Sequence, residues 1–213
     1  DGIRDIHCSL VGSEMCIRDR VGAWVLETAI HQLAEWQHSA PELVLSVNVS
    51  GRELGRSDYV DDVASIIDRS GVSAESVILE ITESVLLEDT RTVRECLHEL
   101  KDLGLRLAID DFGTGYSSLQ YLRQLSVDIL KIDRAFISSS DSDLHDSTIV
   151  ESITELGHAF GLEVVAEGIE TEEQRQALVA LGIDTGQGYH FGRPAPPAQH
   201  VDWQEESVDL NHG

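Results

Sequence analysis

Apolar residues change their spacing repeatedly along this chain, between the three-to-four-residue period of amphipathic helices and the alternation of short strands. Val21–His38 has helical spacing, and further helices are predicted at Tyr59–Ser70, Thr90–Leu103, Asp146–Phe160 and Glu172–Leu181. Strands are predicted at Leu43–Ser50, Val77–Thr82, Arg106–Asp111, Asp128–Asp133, Glu163–Glu167 and Gly186–Phe191. This regular exchange of helix and strand is typical of βα units that build a parallel sheet.

Five of the predicted strands alternate between an aliphatic face and a more polar one. The aliphatic faces carry Leu45, Val47, Val49, Val77, Leu79, Ile81, Leu107, Ile109, Leu130, Ile132, Val164 and Ala166. The opposite faces carry Ser46, Asn48, Ser50, Ile78, Glu80, Thr82, Ala108, Asp110, Lys131, Asp133, Val165 and Glu167. A doubly wound open sheet covered by helices on both sides should be apolar on both faces. The pattern therefore favours an α/β fold of the TIM (β/α)₈ barrel type that is incomplete, with about six of the eight strands present.

The two ends of the chain differ from the part between them. Residues 1–20 have no clean helical or strand period, and Ser9–Arg20 resembles the translation of a sequencing-library adapter. We therefore expect a non-native segment at 1–20, a barrel domain at 21–197 and a polar tail at 198–213.

Charged and amide side chains follow one another at the carboxyl ends of the predicted strands. A carboxylate inside an apolar strand must be protonated, paired or bound to a metal, because an unpaired buried charge costs several kcal/mol. Two adjacent carboxylates repel each other unless a cation lies between them. The residues concerned are Asn48, Glu80, Asp110, Asp111, Lys131 and Glu167.

Each of these residues also has a purely structural interpretation. A single Asp or Asn at a strand end is more often a helix cap or turn residue, and Lys131 with Asp133 would make an ordinary salt bridge. Gly113-Thr-Gly115 alone is a weak phosphate-binding signal. The joint pattern favours a site, because five successive strands place such groups at the same end. Oxygen ligands without His or Cys suit Mg²⁺ or Mn²⁺.

Composition narrows the classes of partner. The 213 residues include 39 acidic and 15 basic side chains, which gives a formal charge of -24. Such a chain repels polymeric nucleic acid and anionic membrane surfaces. Three cysteines at unrelated spacings indicate a reducing, cytoplasmic compartment. The acidity fits either a high-salt source or an ordinary acidic cytosolic protein.

Six motifs in this order resemble the EAL-type cyclic di-GMP phosphodiesterases. The motifs are Asn48-Val-Ser50, Leu79-Glu-Ile-Thr-Glu-Ser84, Asp110-Asp-Phe-Gly-Thr-Gly-Tyr-Ser-Ser118, Leu130-Lys-Ile-Asp133, Ala166-Glu-Gly-Ile-Glu170 and Gln187-Gly-Tyr189. The family fold is a modified (β/α)₈ barrel. The resemblance implies metal-dependent hydrolysis of cyclic di-GMP to linear pGpG by a two-metal mechanism.

The resemblance also implies roles for the strand-end residues. Asn48, Glu80 and Asp110 would hold one Mg²⁺ or Mn²⁺ ion, and Asp110 would bridge to a second ion held with Asp111. Glu167 would assist at the second ion through water. Lys131 would orient or deprotonate the attacking water, and cations beside it would depress its pKa.

Further residues are implied in supporting positions. Asp133 would make a secondary polar contact, Gln187 would bind water or substrate, and Glu83 and Glu170 would support loops. Glu83 would anchor the loop after Asp111, through which the family also forms homodimers. The Glu-Ala-Leu signature that names the family is absent from residues 1–213, and with it one expected ligand of the first metal.

Two other functions stay open. A non-catalytic EAL domain would bind cyclic di-GMP and signal to a partner. An unrelated metal-dependent barrel enzyme would require the series of motifs to be a coincidence.

Overall fold

A computed structural model describes residues 13–87, 91–113, 127–137 and 144–197. The strands are β1 Leu45–Asn48, β2 Val77–Thr82, β3 Arg106–Phe112, β4 Ile129–Ile132, β5 Glu163–Glu167 and β6 Thr185–Gln187. The helices are α1 Ser13–Trp36, α2 Gly51–Leu54, α3 Tyr59–Ser70, α4 Glu83–Leu87, α5 Arg91–Asp102, α6 Leu144–Ala159 and α7 Glu172–Ala180. Short 3₁₀ turns lie at Ala74–Ser76 and Arg134–Phe136.

The strands form one parallel sheet in the order of the sequence, from β1 to β6. The sheet is a half-barrel with flanking helices, so the predicted incomplete TIM-type α/β fold is confirmed. Within the described ranges, β1 and β6 are each paired on one side only. Parallel neighbours require crossover connections, and helices α3, α5, α6 and α7 supply four of the five. Most of the β3–β4 connection, residues 114–126, lies outside the described part.

Alternation along the strands separates the two faces of the sheet, and both faces carry buried apolar residues. The outward faces, with Leu79, Leu107 and Leu130, belong to the large core under the helices. The inward faces contribute a smaller buried cluster of Ile78, Ala108 and Ile129, against which Val165 packs.

Charged and polar side chains also lie on the inner surface at the amino-terminal ends of β3, β5 and β6. Arg106 Nη2 lies 2.5 Å from Glu163 Oε2, and Thr185 Oγ1 donates a hydrogen bond of 2.8 Å to Glu163 Oε1. Arg106 and Glu163 each precede an apolar inward residue by two positions, as the period of a strand requires. Polar side chains therefore lie at both ends of the inner surface, with the apolar cluster between them.

Some predicted boundaries are wrong, each for a local reason. Strand β1 is shorter than Leu43–Ser50, because Ser50 instead caps α2 in a capping box with Glu53. Strand β6 is Thr185–Gln187 rather than Gly186–Phe191, because the chain turns after Gln187 and Phe191 N–H bonds Gly188 O.

Helix α1 begins at Ser13, inside the segment predicted to be non-native. The domain boundaries stay a prediction. Across the described ranges, none of the helices combines the length and apolar character needed to traverse a bilayer.

Candidate functional site

The same two-residue step on four neighbouring strands places four charged side chains at the mouth of the half-barrel. On each strand an inward apolar residue is followed, two positions later, by a charged one. The pairs are Ile78 and Glu80, Ala108 and Asp110, Ile129 and Lys131, and Val165 and Glu167. Because side chains alternate with a period of two, every second member points to the same interior, at the carboxyl ends of the strands.

Lys131 is the centre of this group. Its Nζ lies 2.7 Å from Glu80 Oε1 and 3.4 Å from Asp110 Oδ1, and it also forms an ion pair with Glu167. The Lys131 side chain is only 5% exposed. The structure thus replaces the simple Lys131–Asp133 salt bridge considered above by contacts with three carboxylates on three different strands.

The charges at the mouth do not balance. Three carboxylates and one ammonium leave a formal charge of -2 when all are ionised. Burial makes such an excess costly, because the field is poorly screened there. The mouth therefore carries a net negative charge that a cation would offset.

The pKa shifts of Lys131 and Glu167 reflect the same close packing of charged side chains. Burial lowers the pKa of Lys131, but its hydrogen bonds to Glu167 and Glu80 outweigh this effect and raise that pKa. Burial raises the pKa of Glu167, and Lys131 offsets the rise only in part. In the protein without ions, Lys131 is a protonated donor, and the expected depression of its pKa would require cations beside it.

A local distortion of β3 brings Asp111 to the mouth as well. The β3–β4 register shifts between Ile109 and Phe112, and Asp111 has a left-handed φ of 56°. Its N–H donates to Asp110 Oδ1 at 3.0 Å. Burial raises the pKa of the Asp111 carboxyl, and the charge of Asp110 and a hydrogen bond with Asp133 raise it further. A regular strand would have turned Asp111 away from Asp110.

Strand β1 contributes the amide and a hydroxyl. Asn48 is the register partner of Glu80, and its side chain is exposed at the edge of the sheet. Ser46 Oγ donates a hydrogen bond of 2.5 Å to Glu80 Oε1. Ser46 was not predicted as a site residue, although its place two positions before Asn48 on the polar face was an available signal.

The supporting residues lie around this centre. Asp133 Oδ1 accepts the Ala135 N–H at 2.8 Å and so caps the turn Arg134–Phe136. Glu83 is buried, and its Oε2 accepts the Gly113 N–H at 3.2 Å. The expected anchor point therefore lies at the start of the loop after Asp111, whose residues 114–126 are outside the described part.

Gln187 and Glu170 border a separate pocket beside Glu167. Gln187 is the register partner of Glu167 at the end of β6, and Glu170 lies in the loop after β5. Arg134 and Tyr189 also line this pocket. Neither was predicted, because the pocket forms only where three loops approach one another.

Comparison with known proteins identifies the family. The family model for the EAL domain matches residues 13–194. The chain belongs to the EAL domain family. Its sequence is 39% identical over 181 residues to the bifunctional diguanylate cyclase/cyclic di-GMP phosphodiesterase MucR of Pseudomonas aeruginosa, covering 84% of this chain and 26% of MucR.

Solved EAL structures share the architecture. The MucR phosphodiesterase in complex with cyclic di-GMP matches with a TM-score of 0.84 and 37% identity, over 90% of this chain and 78% of that one. The EAL domain of Mycobacterium smegmatis DcpA matches with a TM-score of 0.78 and 42% identity, over 84% of this chain and 81% of that one. The chain spans between 22% and 31% of the length of the curated relatives it matches.

The donor chemistry of this EAL domain suits a hard divalent cation. Carboxylate oxygens of Glu80, Asp110 and Asp111 and the amide oxygen of Asn48 are ligands that Mg²⁺ and Mn²⁺ accept. Among the described residues, no three acidic, histidine or cysteine side chains are grouped to hold a metal by themselves. Lys131 Nζ lies among the carboxylates and supplies positive charge there.

Proposed function

We propose that this chain carries out metal-dependent hydrolysis of cyclic di-GMP to linear pGpG, with two Mg²⁺ or Mn²⁺ ions. The observation that carries the proposal is the contact of Lys131 with Glu80, Asp110 and Glu167 at the barrel mouth. Relatives in the family support the substrate, since MucR and a second Pseudomonas aeruginosa protein, 36% identical over 180 residues, are named as cyclic di-GMP phosphodiesterases.

The position of each site residue indicates which of the two ions it would hold. Asn48, Glu80 and Asp110 would hold one ion, and Asp110 and Asp111 the other, with Glu167 assisting through water. The ions, when bound, would neutralise the phosphate and lower the pKa of a bound water. The Asp111 backbone bend serves this arrangement, because it turns two successive carboxylates toward one side.

Lys131 would act as a protonated side chain that orients the attacking water. Of the two roles expected for it, orientation needs no change in its protonation state from the protein without ions, where its pKa is raised. The protonated Nζ has three N–H donors, and two of them bond Glu80 and Glu167. The third would donate to the attacking water, and the charge of the ammonium would stabilise the negative charge that develops on the phosphate. Gln187, beside Glu167 in the sheet register, would bind water or substrate.

Turnover should be slow in residues 1–213, because the Glu-Ala-Leu signature is absent from them. The test is incubation of the purified chain with cyclic di-GMP and Mn²⁺, with separation of nucleotides by chromatography. We expect pGpG to accumulate with Mn²⁺ and to stop on addition of EDTA. Equal conversion with and without EDTA would contradict the metal-dependent mechanism.

The second candidate is a binding module for cyclic di-GMP. It is favoured by Lys131, which already offsets part of the charge of Glu80, Asp110 and Glu167 without a metal ion. Saturable binding of cyclic di-GMP with no pGpG after prolonged incubation with Mn²⁺ would select this function.

The location and assembly of the protein are part of the same proposal. We place the reaction in the bacterial cytoplasm, on the cysteine usage of the sequence. A homodimer through the loop after Asp111 stays a prediction. Sedimentation analysis tests it, and a monomer at all concentrations would contradict it.

A further inference from the structure

Strand β1 places a second hydrogen-bond donor on the carboxylate of Glu80. Ser46 lies two residues before Asn48 on the polar face of β1 and is the register partner of Ile78, whereas Asn48 is the register partner of Glu80. Because alternate residues of a strand share a face, Ser46 and Glu80 are diagonal neighbours on the inner surface. Ser46 Oγ donates a hydrogen bond of 2.5 Å to Glu80 Oε1 across this diagonal.

Both donors to this carboxylate use the same oxygen. Glu80 Oε1 accepts from Ser46 Oγ and lies 2.7 Å from Lys131 Nζ. A carboxylate oxygen has about two acceptor sites, so these two donors fill those of Oε1. Within the described ranges, Glu80 Oε2 accepts no hydrogen bond and joins no ion pair. The two oxygens of this buried side chain therefore differ, and Oε2 keeps its acceptor sites.

Lys131 alone does not fix the orientation of the Glu80 carboxylate. Its Nζ contacts the carboxylates of Glu80, Asp110 and Glu167, so it is shared among three strands. The last torsion of a glutamate side chain is broad and roughly twofold, and rotation about it exchanges the two oxygens. A single donor can follow such a rotation, whereas two donors on different strands define the plane of the carboxylate. Ser46 supplies the second donor, from β1.

The hydroxyl group also suits the charge of the mouth. A second ammonium at this position would cancel part of the net negative charge and repel a divalent cation. A serine hydroxyl is neutral, so it holds Glu80 Oε1 and leaves the formal charge of the three carboxylates and Lys131 at -2. Side chains that hydrogen-bond a metal ligand commonly orient that ligand in this way.

We propose that Ser46 is a positioning residue that holds Glu80 Oε1 and so leaves Oε2 to a divalent cation at the barrel mouth. The inference rests on the proposed function, which requires the cation. Ser46 acts through Glu80 and touches neither the cation nor the substrate. The affinity for the cation should therefore depend on the hydroxyl group at position 46 and not on the shape of the side chain.

The test compares Ser46→Val with Ser46→Thr, because valine and threonine have nearly the same shape and only threonine keeps the hydroxyl. Both residues suit an exposed position of a strand. Mn²⁺ binding to the full chain is measured by calorimetry at an ionic strength of about 0.15 M, which screens the other acidic side chains. Glu80→Gln identifies the part of the heat that comes from the barrel mouth.

We expect Ser46→Val to weaken Mn²⁺ binding at the mouth by about 10- to 100-fold, the range for loss of a group that hydrogen-bonds a metal ligand. Ser46→Thr should bind Mn²⁺ as the unmodified chain does. The Mn²⁺ concentration that gives half-maximal pGpG formation should rise in Ser46→Val by the same factor as the Kd.

Ser152→Ala is the matched control, since it removes the hydroxyl of another exposed serine, whose Oγ donates to Thr148 O at 2.7 Å on α6. It should leave Mn²⁺ binding unchanged, and thermal unfolding in EDTA should show that all variants are folded.

Equal Mn²⁺ affinities for Ser46→Val and Ser46→Thr, or tighter binding by Ser46→Val, would overturn the positioning role and leave the proposed function intact. Hydroxyl-dependent Mn²⁺ binding without any pGpG formation would support the positioning role and overturn the hydrolysis. No Mn²⁺ binding that Glu80→Gln abolishes would overturn both.

Discussion

Replacing Lys131 by methionine isolates the electrostatics of the barrel mouth. The substitution keeps the length of the side chain and removes the only ammonium in contact with Glu80, Asp110 and Glu167 among the described residues. Three carboxylates then face one another without a counter-charge. We expect Lys131→Met to be destabilised in EDTA and to recover when Mn²⁺ is added, because a divalent cation can replace the lost charge.

The size of the effect follows from burial. Breaking a buried ion pair costs about 3–5 kcal/mol, and the low end applies because Asp110 and Glu167 are 14% and 21% exposed. A loss of about 3 kcal/mol lowers the melting temperature of a chain of this size by about 6–12 °C. Mn²⁺ at about 100 times its Kd would restore about 2.7 kcal/mol.

The chain contains a matched control, because Lys101 is its one other lysine. Lys101 Nζ lies 2.7 Å from Asp128 Oδ1, and the two side chains are 23% and 30% exposed. Lys101→Met should therefore cost only about 1 kcal/mol. Mn²⁺ should stabilise this variant and the unmodified chain equally, so the difference between the two should not change.

Thermal unfolding followed by circular dichroism at neutral pH, in EDTA and in Mn²⁺, measures all three proteins. The difference between Lys131→Met and the unmodified chain should narrow on acidification, as the carboxylates take up protons. Equal melting temperatures for the two lysine variants in EDTA would refute the electrostatic reasoning. A gain with Mn²⁺ in Lys131→Met that is no larger than the gain of the unmodified chain would refute it as well.

Three further perturbations test other features. Asp111→Asn should raise the free energy of unfolding in urea at pH 7 by up to about 0.5 kcal/mol, because burial and Asp110 disfavour the ionised carboxyl in the folded state. The gain should shrink as the pH falls through the raised pKa of Asp111 and vanish below the ordinary pKa of aspartate, about 3.9; a gain that persists there would contradict this reason. Gly188→Ala should lower the free energy of unfolding by about 1–3 kcal/mol, because the added Cβ overpacks against Ile169. Gly192→Ala is the control and should leave stability unchanged, because a Cβ there meets nothing within 4 Å. Equal effects of the two substitutions would argue against the close approach of Gly188 to Ile169. Burial raises the pKa of Cys96 to about 11. The stability that the protonated thiol contributes is therefore present below pH 9 and lost toward pH 11, by about 1.4 kcal/mol per pH unit. The free energy of unfolding of Cys96→Ala should fall less steeply with pH over that range, and an unaltered slope would exclude Cys96 as its cause.

The inward-facing site residues were predictable because a strand has a fixed period. Glu80, Lys131 and Glu167 occupy alternate positions of apolar strands, so the sequence alone decides which face they share. Parallel strands also end at one edge, which brings residues far apart in the chain to one mouth.

Other features of the site depend on departures from that period or on tertiary approach, and Arg134 and Tyr189 were missed for the second reason. Asp111 reaches the mouth only through the shift in register and its left-handed backbone. Arg134 and Tyr189 meet only because Gly168 and Gly188 let two loops pack closely, and no single segment carries that information. The end of β6 was misplaced because apolar residues after Gln187 continue the strand pattern while the backbone turns.

The most direct test of the proposed function is the rate of pGpG formation from cyclic di-GMP in saturating Mn²⁺ by the unmodified chain, Lys131→Met and Lys101→Met. Removing a group that stabilises charge at the reacting centre costs about 100- to 1,000-fold in rate. We predict a loss of that order for Lys131→Met and a rate within about twofold of the unmodified chain for Lys101→Met, because surface ion pairs contribute little. Equal rates for the two lysine variants would contradict the assignment of the reaction to the barrel mouth.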